Sequence, residues 1–239
     1  MADTIGRLQY QIDTLIKGCT KWGLQINEEK TKVIVFRNGG PLRQNEKFFI
    51  NGKRIETVPM FKYLGLLFTS RLCWSATQRM LAAQADKAVA VIKHISFKCG
   101  GLSHELYFKL FDRMVTPILT YGSEIWGAEV LDCIEIVQYK FCKFDLGVAK
   151  SSYNAVVLGE CGRWPIATIC KIRTIKYWLK LLNMSPSRLP SCTYHMLFKL
   201  DQVGRKSWAT KVKCLLNQLG LGYVWNEQCV GNQEAFLIY

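Results

Sequence analysis

From residue 4 the apolar positions step at helical spacing: Ile5, Leu8, Ile12, Leu15 and Cys19. This period predicts an amphipathic helix from about residue 4 to residue 22, with Gly23 in the left-handed position that ends it. The period then changes. Leu24 to Ile26 reads as a short strand, Asn27 as the opening of a turn, and Thr31 to Phe36, β-branched and aromatic, as a strand. Asn38-Gly39-Gly40-Pro41 breaks that strand. "KFFINGKRIETV" places Asn51-Gly52, a pair that tolerates positive φ, between two β-rich runs, and so predicts a hairpin. "FKYLGLLFT" reads as one further strand, with Gly65 where a side chain would intrude. Thr31–Phe36 and Phe61–Phe68 are expected to have exposed edges, which invite pairing with other chains.

After Trp74 the pattern is helical. Ser75 is placed to cap a helix reaching about Phe97, closed by Gly100-Gly101. Ser103 caps a second, with Leu106, Leu110, Phe111 and Met114 on one face, until Pro117 interrupts or kinks it. A third runs from Leu131 to Leu146. A fourth has Pro165 in its first turn and reaches about Leu182. "MSPSRLPS" reads as a loop, and two shorter helices follow near Tyr194–Gln202 and Ser207–Leu219. The expected fold class is α+β: a small antiparallel sheet with one N-terminal helix, followed by an all-helical region. The expected domains are 1–74, 75–182 and a C-terminal helical segment, 183–239, which lacks a clear stop and reads as truncated.

Composition adds a partner class. Of 239 residues, 49% are hydrophobic, enough for a packed core, and the formal charge is +14. Such an excess favours polyanions, nucleic acid or an anionic surface, over a neutral partner. From Cys161 to Leu200 there are seven Lys/Arg and no acid. The opening "MADTIGRLQY" has an early acid and no apolar core of a signal peptide, and no apolar run approaches a membrane span. An intracellular protein, nuclear or cytoplasmic, with no membrane partner is expected. The ten cysteines include no C-x-x-C pair, so most of them are read as reduced, small core residues rather than zinc ligands. His94, His104 and His195 are scattered, and no nucleotide-binding or hydrolase motif appears.

"CTKWGLQINEEKTKVIVF", a hairpin, and then "FKYLGLLFTS" resemble the end of the palm of non-LTR (LINE-type, jockey-like) retrotransposon reverse transcriptases. The first matches the family's fourth palm motif and the second its fifth, the primer grip. "KLFDRMVTPILTYGSEIWG", "KFCKFDLGVAKSSYNAVVLGECGRWPI" and "IRTIKYWLKLL" look like the thumb and connection region that follows. The resemblance implies RNA-directed DNA polymerase ancestry. It also implies that the chain begins after the family's catalytic Asp-Asp turn; Asp3 and Asp13 are helical acids, and no Asp-Asp pair occurs. Two-metal phosphoryl transfer needs carboxylates to hold both ions. Glu28 and Glu29 are adjacent but splay in a turn. The expectation is therefore a fragment that keeps a basic RNA/DNA-binding surface and does not polymerise alone. No cofactor is expected in this chain, Mg²⁺ belonging to the full-length family.

The resemblance also assigns roles. Lys30 would be the motif lysine near the departing pyrophosphate, the plain alternative being a solvated turn lysine. Phe61, Tyr63, Leu64 and Gly65 would form the primer grip, the alternative being an ordinary strand. In the thumb, Arg79 and Lys87, with Lys93 and Lys98, would face the duplex. Arg173, Lys176 and Lys180 make a stripe on the fourth helix, either a phosphate-contacting face or a solvated one, while Ile169, Ile172, Ile175, Leu179 and Leu182 are placed on a separate core face. Tyr177 and Trp178 are expected to pack rather than stack on bases. The partners implied are an RNA/DNA duplex or primer–template and the fingers and palm portion of the polymerase. The rival readings are a non-enzymatic helical interaction module and an element remnant without function.

Overall fold

The computed structural model describes residues 4–37, 40, 47–231 and 236. Asp3, the breaker residues Asn38, Gly39 and Pro41, and the terminal run apart from Phe236 lie outside them. The fold is mixed α+β, and the chain divides into two compact units, Met1–Thr77 and Gln78–Tyr239.

In the first unit, helix α1 (Ile5–Lys21) ends as its sequence dictates. Gly23 has φ +65°, its N–H bonds the Thr20 carbonyl, and the Leu24 N–H reaches back to the Cys19 carbonyl at 2.8 Å. This is the six-to-one, five-to-two cap of a helix closed by a left-handed glycine. It also explains why Leu24–Ile26 forms no strand: the Leu24 N–H belongs to the cap. Asn27 opens the turn as expected, its Oδ1 accepting from the Lys30 N–H at 2.9 Å. The strand after it is short, β1 being Lys32–Val33.

Strands β2 (Phe48–Ile50) and β3 (Lys53–Thr57) form the expected antiparallel hairpin, with Asn51 and Gly52 both at positive φ. The sheet order is β1-β3-β2, and β1 pairs β3 in parallel, so the sheet is mixed rather than wholly antiparallel. Val33, Phe48, Ile50 and Ile55 form its buried face, against which Leu8, Ile12 and Ile16 of α1 pack. "FKYLGLLFT" is not one strand. It folds into a second hairpin, β4 (Met60–Tyr63) and β5 (Leu66–Thr69), turning at Leu64 (φ +47°) and Gly65 (φ +82°). Gly65 therefore serves a two-residue turn that needs left-handed backbone at both positions.

Two of the strand edges are closed by side chains. The Gln9 amide holds both backbone groups of Phe49: Nε2 donates to its carbonyl and Oε1 accepts from its N–H, each at 2.9 Å. On β5, the Thr77 hydroxyl donates to the Leu67 carbonyl at 2.7 Å and accepts from the Leu67 N–H at 3.1 Å.

The second unit is all helix among its described residues: α2 (Ser75–Lys98, its first turn belonging to the first unit), α3 (His104–Leu110), α4 (Thr116–Leu119), α5 (Ser123–Trp126), α6 (Asp132–Asp145), α7 (Asn154–Glu160), α8 (Ile166–Leu182), α9 (Leu189–Gln202), α10 (Trp208–Gln218) and α11 (Gly222–Glu227). Ser103 caps α3 through Oγ, which accepts from the Leu106 N–H. Between α3 and α4, Phe111–Val115 widen into a π-turn just ahead of Pro117. Proline cannot donate and crowds the preceding turn, and a wider turn relieves both. The buried positions of this segment are Tyr107, Phe108, Phe111, Val115 and Leu119, while Leu106, expected on the core face, is exposed.

Helices α5 and α8 meet closely because Gly127 follows α5. A Cβ there would stand 2.6 Å from the Cys170 carbonyl oxygen and closer still to that of Ser123. Glu135 of α6 caps α8 from the side, its Oε1 accepting from the Ala167 N–H at 2.6 Å and its Oε2 from the Ile166 N–H at 3.2 Å. "MSPSRLPS" is only partly loop: α9 starts at Leu189, with Pro190 in its first turn, where a missing N–H costs nothing. One apolar core spans residue 183, joining Ile175, Trp178 and Leu179 to Tyr194, Val212, Leu216 and Trp225. The Trp178 indole N–H donates to the Tyr194 hydroxyl at 2.8 Å, and that hydroxyl donates to Gln228 Oε1 at 2.5 Å.

None of the ten cysteines is in a disulfide. Cys142, Cys161 and Cys170 are the buried ones; Cys73, Cys99, Cys192, Cys214 and Cys229 are exposed, so most are not core residues. No described helix is long and apolar enough to cross a membrane.

Candidate nucleic-acid interface

In the first unit the β4–β5 hairpin gathers four of the expected residues. Phe61 and Tyr63 alternate onto one face, and Phe61 stands opposite Phe68. Tyr63 meets Phe68 edge-on with ring centroids 6.3 Å apart, and Phe68 meets Trp74 at 5.4 Å. The aromatic row anchors the base of the hairpin and leaves its tip outside: Tyr63 is 58% exposed and Leu64 72%. A leucine at positive φ is strained by roughly 1 kcal/mol or more, which isolated hairpins avoid with Asn or Gly. Phe61, by contrast, is half-buried and packs.

Lys62, between Phe61 and Tyr63, is exposed and has no side-chain partner among the described residues. The F-x-Y-L-G pattern leaves this position open, so the sequence does not mark it; in the hairpin it stands opposite Leu67, on the other face from Phe61 and Tyr63. Lys30 belongs to the other sheet, in the turn before β1, and is exposed. Its neighbour Glu28 is engaged by Lys53 at 3.4 Å and by the Asn51 amide at 3.4 Å, so it is an ordinary surface acid. Among the described residues no three His, Cys, Asp or Glu side chains form a metal-ligand group.

In the second unit Arg79 and Lys87 are exposed on α2, with the acidic Asp86 beside Lys87. Lys93, from the looser basic set on the same helix, lies 4.1 Å above the Phe144 ring. Burial holds its ammonium below the usual lysine value, with the Asp86 carboxylate opposing and Lys140 reinforcing that shift. It is a half-buried cation–π partner. Lys98 is exposed at the end of the helix.

The α8 stripe divides. Arg173 donates from Nη1 to the Thr120 carbonyl at 2.9 Å and stands 3.8 Å from Glu124 Oε1. It ties α8 to the α4–α5 segment, and the acid-free run in sequence acquires an acid in space. Lys176 and Lys180, one turn apart, are exposed and have no side-chain partner among the described residues. Ile172 is 43% exposed and shares the side of Lys176 four residues on, so it is not a core residue. The core face is Ile166, Cys170, Thr174, Ile175, Trp178, Leu179 and Leu181. Tyr177 and Trp178 pack, as expected: Trp178 is buried and Tyr177 meets the Trp208 ring at 5.8 Å. In the tail, Lys211 bonds Glu129 at 2.6 Å and Lys213 bonds Asp201 at 3.1 Å, so neither is a free cation.

No protein-family model, curated protein or solved structure matches the chain. The arrangement offers an aromatic-based hairpin tip with one lysine in the first unit, and two lysines without a side-chain partner among the described residues, on a well-packed helix, in the second. Both are suited to phosphate contact without sequence reading.

Proposed function

We propose that this chain is the end of the palm and the thumb–connection region of a LINE-type reverse transcriptase, that it binds RNA or DNA duplex through basic surface, and that it does not polymerise alone. The observation that supports it best is the pair Lys176 and Lys180: exposed, unpaired among the described residues, and one turn apart on a helix whose opposite face is core. The palm motifs supply the family, and the exposed Lys62–Tyr63–Leu64 tip corresponds to the primer-grip turn. The absence of an Asp-Asp pair from the sequence underlies the third element of the reading.

The test is binding to a primer–template duplex as a function of salt. Each phosphate contact contributes about 0.7–0.9 to the slope of log affinity against log salt, so Lys176→Gln with Lys180→Gln lowers it by about 1.5. Unchanged affinity and slope in the double variant would mean that the pair is a solvated face and would leave the interaction-module reading standing. In a primer-extension assay with Mg²⁺ the chain alone is expected to add no nucleotide.

A further inference from the structure

The connection between α8 and α9 carries Ser185-Pro186-Ser187-Arg188, a stretch that neither the core nor the lysine pair of α8 uses. Residues 185–190 are all exposed. Pro186 and Ser187 are the central residues of a turn in which the Arg188 N–H donates to the Ser185 carbonyl at 3.0 Å. The Ser185 and Ser187 hydroxyls meet at 3.0 Å, and the Cys192 thiol donates to the Pro186 carbonyl at 3.0 Å. Drawing this stretch out into an extended strand breaks these few bonds and uncovers no core side chain.

The chain has six prolines, and two of them follow a hydroxyl residue: Pro117 after Thr116 and Pro186 after Ser185. The fold separates the two. Thr116 opens α4 between the buried Val115 and Leu119, and its hydroxyl donates to Asp112 Oδ1 at 3.4 Å. Straightening the chain there would draw both apolar neighbours out of the core. Ser185 carries no such cost. It also carries the recognition chemistry of one enzyme class, the proline-directed protein kinases: an acceptor hydroxyl, a following residue with no N–H to satisfy, and a guanidinium three positions on. Ser187 is followed by Arg188 and lacks the second of these.

We propose that Ser185 is the phosphoacceptor of a proline-directed kinase, and that its phosphate weakens duplex binding through the lysine pair of α8. In the transfer, a bond forms between Ser185 Oγ and the γ-phosphorus of ATP as the bond from that phosphorus to the β–γ bridging oxygen breaks. ADP leaves with the electron pair, and the hydroxyl proton goes to the kinase's catalytic carboxylate. The product adds about −1.5 to −2 of charge to a run, Cys161 to Leu200, that holds seven Lys/Arg and no acid. Arg188 stands at the other end of the turn, and Lys180, in the last turn of α8, is five residues before the acceptor. Both are exposed. A phosphate there pairs with these cations and competes with the phosphates of a duplex for Lys180. The second half of the proposal rests on the duplex-binding reading; the acceptor role of Ser185 does not.

The test treats the full chain with a purified proline-directed kinase and Mg·ATP, and maps phosphate by mass spectrometry of tryptic peptides. One phosphate is expected in the peptide 181–188, none on Thr116, and none in 181–188 of the Ser185→Ala chain. Pro186→Ala is expected to slow the transfer at least about tenfold, by restoring an N–H the kinase does not bond. Both substitutions are exposed and leave the thermal midpoint in place. The acceptor role is overturned if 181–188 stays unmodified while a free Ser-Pro-Ser-Arg peptide is phosphorylated in the same reaction. It is equally overturned if Ser185→Ala is modified in that peptide, if Pro186→Ala reacts at the parent rate, or if Thr116 reacts as fast. In the duplex titration, the phosphorylated chain is expected to bind more weakly, its salt slope lower by about 0.8, one contact. In Lys180→Gln, phosphorylation is expected to change that slope no further. An unchanged affinity and slope after phosphorylation overturns the second half alone. A parent chain that binds no duplex overturns the duplex reading and this half with it, while the mapped phosphate still decides the first.

Discussion

The side-chain amide of Gln9 substitutes for a neighbouring strand at Phe49. Both outward backbone groups of that residue are bonded by one side chain, and the second amide hydrogen of Gln9 goes to Asp13 Oδ1 at 2.8 Å, which fixes the orientation of the amide. An exposed strand edge is thereby plugged without a strand. Gln9→Leu is expected to cost about 1 kcal/mol, the usual net worth of such bonds, read as a lower unfolding midpoint. It should also raise self-association in light scattering, because the freed edge is a template for pairing. A variant as stable and monodisperse as the parent would show that the plug is dispensable.

Arg173 and its two stripe companions should separate by assay. Arg173→Gln removes a donor from the Thr120 carbonyl and is expected to lower stability by about 1–2 kcal/mol. Lys176→Gln and Lys180→Gln, both exposed, are expected to change it by less than about 0.5 kcal/mol. Denaturant titration of the three single variants decides the point, and equal midpoints would remove the structural role assigned to Arg173.

Gly127 admits no side chain. Gly127→Ala forces the backbone of α5 away from the carbonyls of Ser123 and Cys170, and overpacking of this kind costs about 1–3 kcal/mol. Gly159→Ala is the control, since a Cβ there meets nothing within 4 Å. A calorimetric comparison of the two variants should show a large drop in Tm for the first and little change for the second.

Glu135 should make stability depend on pH in an unusual direction. Burial raises its carboxyl above the ordinary value, while the Ala167 and Ile166 N–H groups pull it down less strongly. The folded chain therefore binds this proton more tightly than the unfolded chain. Its contribution is complete below the ordinary carboxyl range and is lost as pH rises through the raised folded value. Relative to Glu135→Gln, which does not titrate, the parent is expected to lose stability as pH rises across that window. A parent-minus-variant difference that is flat or rises with pH would contradict the assignment.

The elements with one local cause could be read from the sequence. Gly23, Asn27, Asn51-Gly52 and Ser103 each perform in the structure the local role their chemistry suggested. What the sequence hid depends on long-range partners. Leu64-Gly65 turns the chain although leucine is a poor turn residue, because the strands on either side pair with each other. Before Pro117 both neighbouring faces carry apolar residues, and Phe141, on which Tyr107 and Phe108 pack, selects their face over that of Leu106. The α8 stripe looked uniform, yet Arg173 is drawn into a tertiary bond by a carbonyl 53 residues away.

The buried thiols give the second unit an internal clock. Burial, the largest cause in each case, pushes Cys142 and Cys170 up to about 12, so almost none of either is thiolate at neutral pH. An alkylating reagent that modifies the exposed Cys99, Cys192 and Cys214 at once must wait for the helices to open before it reaches these two. Their labelling rate therefore counts openings of the helical core, residue by residue, without any introduced probe.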